Sequence, residues 1–168
     1  MTNLKIYRLC RDKKTNQKLK KEEGKYNLPS SEYFHGIDLY EFTRKVIESC
    51  PTEYALLCHD DVILPENISF NINQAIKSAN NTFGRNKWAI MGNAGVEIIS
   101  KDVKTFLEDS HTQILPYHTS TPIIVESIDG NTMLLNINIL RGNKVFLPKT
   151  LSGFHLYDLI LSLESYKK

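Results

Sequence analysis

The sequence predicts an α/β domain in which a mainly parallel central sheet is flanked by helices. Three observations predict it. The apolar run Tyr54-Ala55-Leu56-Leu57-Cys58 reads as a buried strand, because continuous apolar character fits a central strand covered on both faces. Strand and helix patterns alternate through the first half of the chain, as βαβ units require. The length of 168 residues, 41% of them hydrophobic and 24% charged, suits a single soluble domain with a real core over 1–168.

In chain order, Leu4-Lys5-Ile6-Tyr7-Arg8-Leu9 alternates in polarity and predicts a first strand. The basic segment and Tyr26 to Gly36 are expected as loop, with Asn27, Pro29, Ser30 and Ser31 supplying turn chemistry. Leu39, Phe42, Val46 and Ile47 share one helical face, Asp38 can cap that helix and Pro51 stops it. Pro65 and Glu66 suit the start of the next helix, which Ile68, Ile72, Ala75, Ile76 and Ala79 continue until Gly84. Trp88 to Gly92 reads as a buried strand and Val96 to Ile99 as a short extension of it. Lys101 to Glu108 is expected as a helix, Ile123 to Ile128 as a strand, and Asp109 to Pro122 between them as a long loop. Met133 to Leu140 fits strand or helix, Val145 to Leu147 is short and extended, and Leu156 to Ser165 is a terminal helix.

Composition excludes several classes. No apolar run approaches the roughly 20 residues of a membrane span, and Met1 to Arg11 lacks the apolar core of a signal peptide. Cys10, Cys50 and Cys58 are odd in number and lack metal-type spacing, which argues against a disulfide framework and for a reducing cytoplasm. The net charge of +2 hides an asymmetry, since Arg11 to Lys25 holds seven basic residues and three acids. That segment, 11–25, could make weak peripheral contact with an anionic membrane, but the plainer reading is a solvated loop or exposed helix. It has no interleaved aromatics for base stacking, so nucleic acid is not an expected partner.

Three constellations carry chemistry. His59-Asp60-Asp61 ends the Tyr54–Cys58 strand, where open α/β sheets hold ligands at the carboxyl ends of their strands. Asp61 would ligate a cation there with His59 or Asp60 helping; oxygen ligands suit Mg²⁺ or Mn²⁺, and the imidazole favours Mn²⁺. The plain alternative makes the acids helix caps and His59 a core histidine. Asp129-Gly130-Asn131 could let a substrate approach the backbone, or be a simple turn. His155 and Asp158 lie three apart in Gly153-Phe154-His155-Leu156-Tyr157-Asp158, on one face if that segment is helical, and could supply a metal ligand and a general base. The alternative is an acid at a helix start with Phe154 and Tyr157 in the core. His111 and His118 read as loop residues. Cys58 and His59 are not a nucleophile pair, because adjacent strand residues face opposite ways.

The order of these pieces resembles the GT-A (nucleotide-diphospho-sugar transferase) glycosyltransferases. The resemblance rests on a strand ending in His59-Asp60-Asp61-Val62, then Trp88-Ala89-Ile90-Met91-Gly92-Asn93-Ala94-Gly95-Val96, Ile128-Asp129-Gly130, and Gly153 to Asp158. It runs from about Tyr54 to Glu164 and is closest to a family 2-like branch similar to the streptomycin-biosynthesis glycosyltransferase-like domain. It implies a single GT-A-like domain, shortened at both ends. It also implies a nucleotide-diphosphate sugar as donor, a saccharide or other hydroxyl acceptor, and assistance by Mn²⁺ or Mg²⁺.

Carried onto this chain, the resemblance places Asp60 and Asp61 at the donor diphosphate and Asp129 and Gly130 near the sugar or acceptor. Asp61, His59 and His155 would hold the metal, and Asp158 would be the catalytic acid–base group. Two positions depart from the pattern: His59 stands where the family's first acid usually does, and Ile160 where a second late acid is common. The resemblance also admits a noncatalytic glycosyltransferase-like binding domain. His-Asp adjacency occurs in metal-dependent phosphohydrolases of the HD family too, but these are helical.

Overall fold

The computed structural model describes residues 3–24, 28–97, 102–105 and 121–167. It is an α/β fold built on a five-stranded sheet. The strands are β1 (Leu4–Leu9), β2 (Ser31–Phe34), β3 (Tyr54–His59), β4 (Ile90–Gly92) and β8 (Thr132–Asn136), in the order β2-β1-β3-β8-β4. A small antiparallel sheet of β6 (Asp102–Thr105), β5 (Ala94–Glu97) and β7 (Ser127–Ile128) stands beside it. The helices are α1 (Lys13–Glu23), α2 (Leu39–Ser49), α3 (Ile68–Phe83), α4 (Ile137–Gly142) and α5 (Tyr157–Tyr166).

The main sheet is mixed, which corrects the mainly parallel sheet expected from the alternation. β1 pairs in parallel with β2 and β3, whereas β8 is antiparallel to both β3 and β4. The physical reason lies in the chain path. β7 and the turn at 129–131 deliver the chain to the edge where β3 ends, so β8 enters there and must run backwards through the sheet. Cys58 pairs with Thr132 at that edge and Tyr54 with Asn136 at the other. The reversal brings Asp129-Gly130-Asn131 beside His59, whose N–H donates to the Asn131 carbonyl at 3.0 Å.

Strand alternation sorts the core into two layers. Tyr7, Leu9, Ala55, Leu57, Met133 and Leu135 pack with Phe42, Val46 and Ile47 of α2, Leu140 of α4, and Tyr157 and Leu161 of α5. On the opposite face, Ile6, Leu56, Cys58 and Leu134 meet Ile72, Ile76 and Ala79 of α3, and Trp88 stacks on Tyr54 at 5.7 Å. Truncating a fully buried Leu57 to alanine would cost about 2–5 kcal/mol by this packing. Among the described residues no helix is long and apolar enough to cross a membrane.

Several elements differ from expectation. Lys13–Glu23 takes the exposed-helix alternative and not the loop: Asp12 caps it by accepting from the Thr15 N–H at 2.7 Å, and Asn16 and Glu23 are its buried residues. β2 forms inside the expected loop because its backbone has β1 to pair with, Arg8 opposite Tyr33. Residues 102–105 of the expected helix form a strand, because the backbone of β5 offers them an edge to pair with, Val103 opposite Val96. The expected strand over Ile123–Ile128 contracts to Ser127–Ile128, since Ile123 and Ile124 are exposed rather than covered. Val145 to Leu147 is not a strand, although Val145 and Leu147 are buried. The ambiguous Met133–Leu140 divides into β8 and α4, with Asn136 capping the helix. Residues 109–120 of the expected loop, His111 and His118 among them, lie outside the described residues.

Candidate functional site

The sequence of β3 places His59 at the carboxyl edge, and strand alternation turns it to the face opposite Cys58. His59 meets α5, while Cys58 is buried against α3. Burial pushes the Cys58 thiol up to about 12, so it is no nucleophile at neutral pH.

Tyr157 organises the centre. Its hydroxyl lies 2.5 Å from the Gly130 carbonyl oxygen and 3.1 Å from His59 Nε2. A carbonyl can only accept, so the phenol proton points to Gly130 and the bond pattern assigns the hydrogen of the second contact to Nε2. The neutral His59 ring therefore keeps its lone pair on Nδ1. Burial first, then the Asp158 and Asp129 carboxylates, push the Tyr157 phenol well above its ordinary value, which keeps it a donor.

Asp158 holds the other side of the same turn. Its Oδ2 accepts from the Gly130 N–H at 2.8 Å and its Oδ1 from the Leu159 N–H at 2.9 Å. Gly130 is thus clasped at both its N–H and its carbonyl by adjacent residues of α5. A β-carbon at Gly130 would overlap the Tyr157 ring and hydroxyl, so glycine is required here by close approach. Asp129 Oδ1 closes the turn by accepting from the Asn131 N–H at 2.9 Å.

His155 does not share a helical face with Asp158, which corrects the sequence expectation. α5 begins only at Tyr157, and Leu156 before it is left-handed at φ 63°. That turn sends Tyr157 inward and leaves Phe154, His155 and Leu156 exposed. His155 contributes its carbonyl, which accepts from the Tyr40 hydroxyl at 2.9 Å.

The acidic turn is held from the other flank. Asp60 accepts from the Arg11 backbone N–H at 2.8 Å and from its guanidinium at 2.9 and 3.0 Å. Burial alone would raise the Asp60 carboxyl, but these bonds outweigh it and hold it below the usual carboxylate range. Asp61 is exposed, and no hydrogen bond or ion pair to its side chain is found among the described residues. Beneath the turn, the Arg8 guanidinium donates to the carbonyls of His59 at 2.6 Å and Val62 at 2.8 Å.

Comparison with family models and with curated proteins finds no match. The local geometry stands alone in deciding what the site can do. It unites His59, the Asp129-Gly130 turn and Asp158 at one sheet edge. It does not unite the residues expected to hold a metal: among the described residues no three His, Cys, Asp or Glu side chains are placed to hold one. His59 is engaged by Tyr157, Asp60 by Arg11, and His155 faces solvent.

Sequence reasoning assigned no site role to Tyr157, Arg11 and Arg8. Tyr157 was readable as core, which it is, but its hydroxyl is the shared atom of the site. The one signal for Arg8 was a basic residue on the same strand face as buried Ile6.

Proposed function

We propose that this chain is a GT-A-like glycosyltransferase domain that binds a nucleotide-diphosphate sugar across the carboxyl edge of the main sheet and transfers the sugar to an acceptor hydroxyl. One observation carries the reading: the Tyr157–Asp158 pair grips Gly130 and His59 together, so three motifs far apart in sequence meet at one edge. Ligands of open α/β sheets bind at that edge.

Transfer breaks the anomeric bond to the diphosphate and joins the anomeric carbon to the acceptor oxygen. Asp158 is the group proposed to take the acceptor proton. Its two backbone hydrogen bonds fix the orientation of the carboxylate and leave each oxygen a further lone pair. Asp129, exposed on the neighbouring turn, would face positive charge developing on the sugar ring. Negative charge on the leaving diphosphate needs a positive counterpart. The residues expected to share a cation do not form a ligand set, and Arg11 is taken up by Asp60, so this falls to the exposed Lys13 and Lys14 in the first turn of α1.

A second reading is a noncatalytic domain that binds the same donor. It is favoured by the acids already committed within the protein, Asp60 to Arg11 and both Asp158 oxygens to backbone N–H groups. Thermal-shift titration with UDP-, GDP- and dTDP-sugars, each with and without Mn²⁺, tests the shared donor site. A donor at one hundred times its Kd stabilises the fold by about 2.7 kcal/mol. No shift with any donor refutes both readings; a shift without sugar release or transfer to any acceptor leaves the binding domain.

A further inference from the structure

Arg8 sits mid-strand in β1, between Tyr33 of β2 and Cys58 of β3 in the register of the sheet. Its side chain is fully buried, on the face it shares with Ile6. A buried guanidinium needs its charge met and its donors engaged; here both terminal nitrogens are bonded and Nε has no partner among the described residues. Glu23, from the last turn of α1, supplies the charge through Oε1, and the Tyr33 hydroxyl occupies Oε2 of the same carboxylate. The other amino nitrogen of Arg8 reaches past the end of the sheet. It meets the carbonyls of His59 and Val62, the two ends of the turn that carries Asp60 and Asp61.

Two carbonyls three residues apart converging on one nitrogen define how tightly that turn closes. We propose that Arg8 is a positioning residue for the Asp60–Asp61 turn, and that Glu23 of α1 and Tyr33 of β2 hold Arg8 in the posture that does this. The basic segment then has a role beyond its exposed lysines, since α1 carries the buried acid that balances Arg8. The shape of the turn depends on residues far away in sequence, and a disturbance at Glu23 is transmitted to Asp61 through a single side chain. This hold on the turn is independent of whether sugar transfer is the reaction.

Backbone NMR tests it without any donor. Glu23→Gln keeps the shape of the side chain and removes its charge. It is expected to displace the resonances of 59–62 and lower their order parameters from about 0.85 towards about 0.6, with 54–57 unchanged. Tyr33→Phe leaves the ion pair in place and is expected to give a smaller displacement at the same residues. Unaltered resonances and order parameters at 59–62, or an equal change across β1, β2 and β3, overturns the proposal. Should Glu23→Gln fail to fold, Tyr33→Phe decides by the same criteria.

Discussion

The Tyr157 hydroxyl lies 3.1 Å from His59 Nε2, joining the last helix to the end of β3 across 98 positions of sequence. The same oxygen serves the Gly130 carbonyl at 2.5 Å, so one phenol ties together three segments that each carry a candidate site residue. Its ring packs edge-on to Tyr40, at 6.4 Å and 70°, which fixes the direction of the hydroxyl.

Removing that oxygen isolates its role. Tyr157→Phe leaves the buried Gly130 carbonyl without its side-chain donor, and a loss of about 1–3 kcal/mol in unfolding free energy is expected. In the native protein, nitrogen-15 spectra of neutral His59 should show the hydrogen on Nε2. In Tyr157→Phe that hydrogen loses its fixed acceptor, and the Nδ1–H tautomer should gain population. A wild-type ring with its hydrogen on Nδ1 would refute the bond pattern.

Gly130 and Tyr157 should be coupled. Gly130→Ala places a methyl group where the phenol ring and hydroxyl already sit, and overpacking of this kind costs about 1–3 kcal/mol. In the Tyr157→Phe background the hydroxyl is absent and the same substitution should cost less. Urea denaturation of the four proteins of this double-mutant cycle is expected to give a coupling of about 0.5–3 kcal/mol. Simple additivity would mean that the turn moves away from α5 freely.

The Asp60–Arg11 pair predicts an acid-sensitive contribution to stability. Because the folded carboxyl is held below its unfolded value, the contribution is complete above about pH 4 and disappears as pH falls through the lowered folded value. Arg11→Gln should therefore be less stable than wild type at neutral pH, with the gap closing in acid. Urea denaturation from about pH 6 down to about pH 2 reads the gap directly. A gap that is constant over this range would show that Arg11 acts through packing and not through charge.

Local signals made much of the fold legible. α2 begins where Asp38 caps it, accepting from the Glu41 N–H at 2.8 Å, and stops before Pro51 because its start, apolar face and end are all written in neighbouring residues. β1 and β3 were readable from their apolar patterns for the same reason. α1 stayed open between loop and exposed helix, because it has no continuous apolar face: its stability comes from the Asp12 cap and from Glu23 reaching Arg8, a partner on another element. The β6 segment is not legible as a strand by itself, because pairing with β5 is a property of two segments and not of one.

By itself the sequence determined the α/β class, the strand that ends in His59-Asp60-Asp61, and the order in which the motifs occur. These depend on periodicity, caps and turns, which act over a few residues. Only the tertiary structure decided that β8 runs against β3, that His59 meets Tyr157 while Asp60 meets Arg11, and that His155 stands apart. Each of these is a choice among partners distant in the chain, settled by which backbone edge, charge or hydrogen-bond donor the completed packing brings within reach.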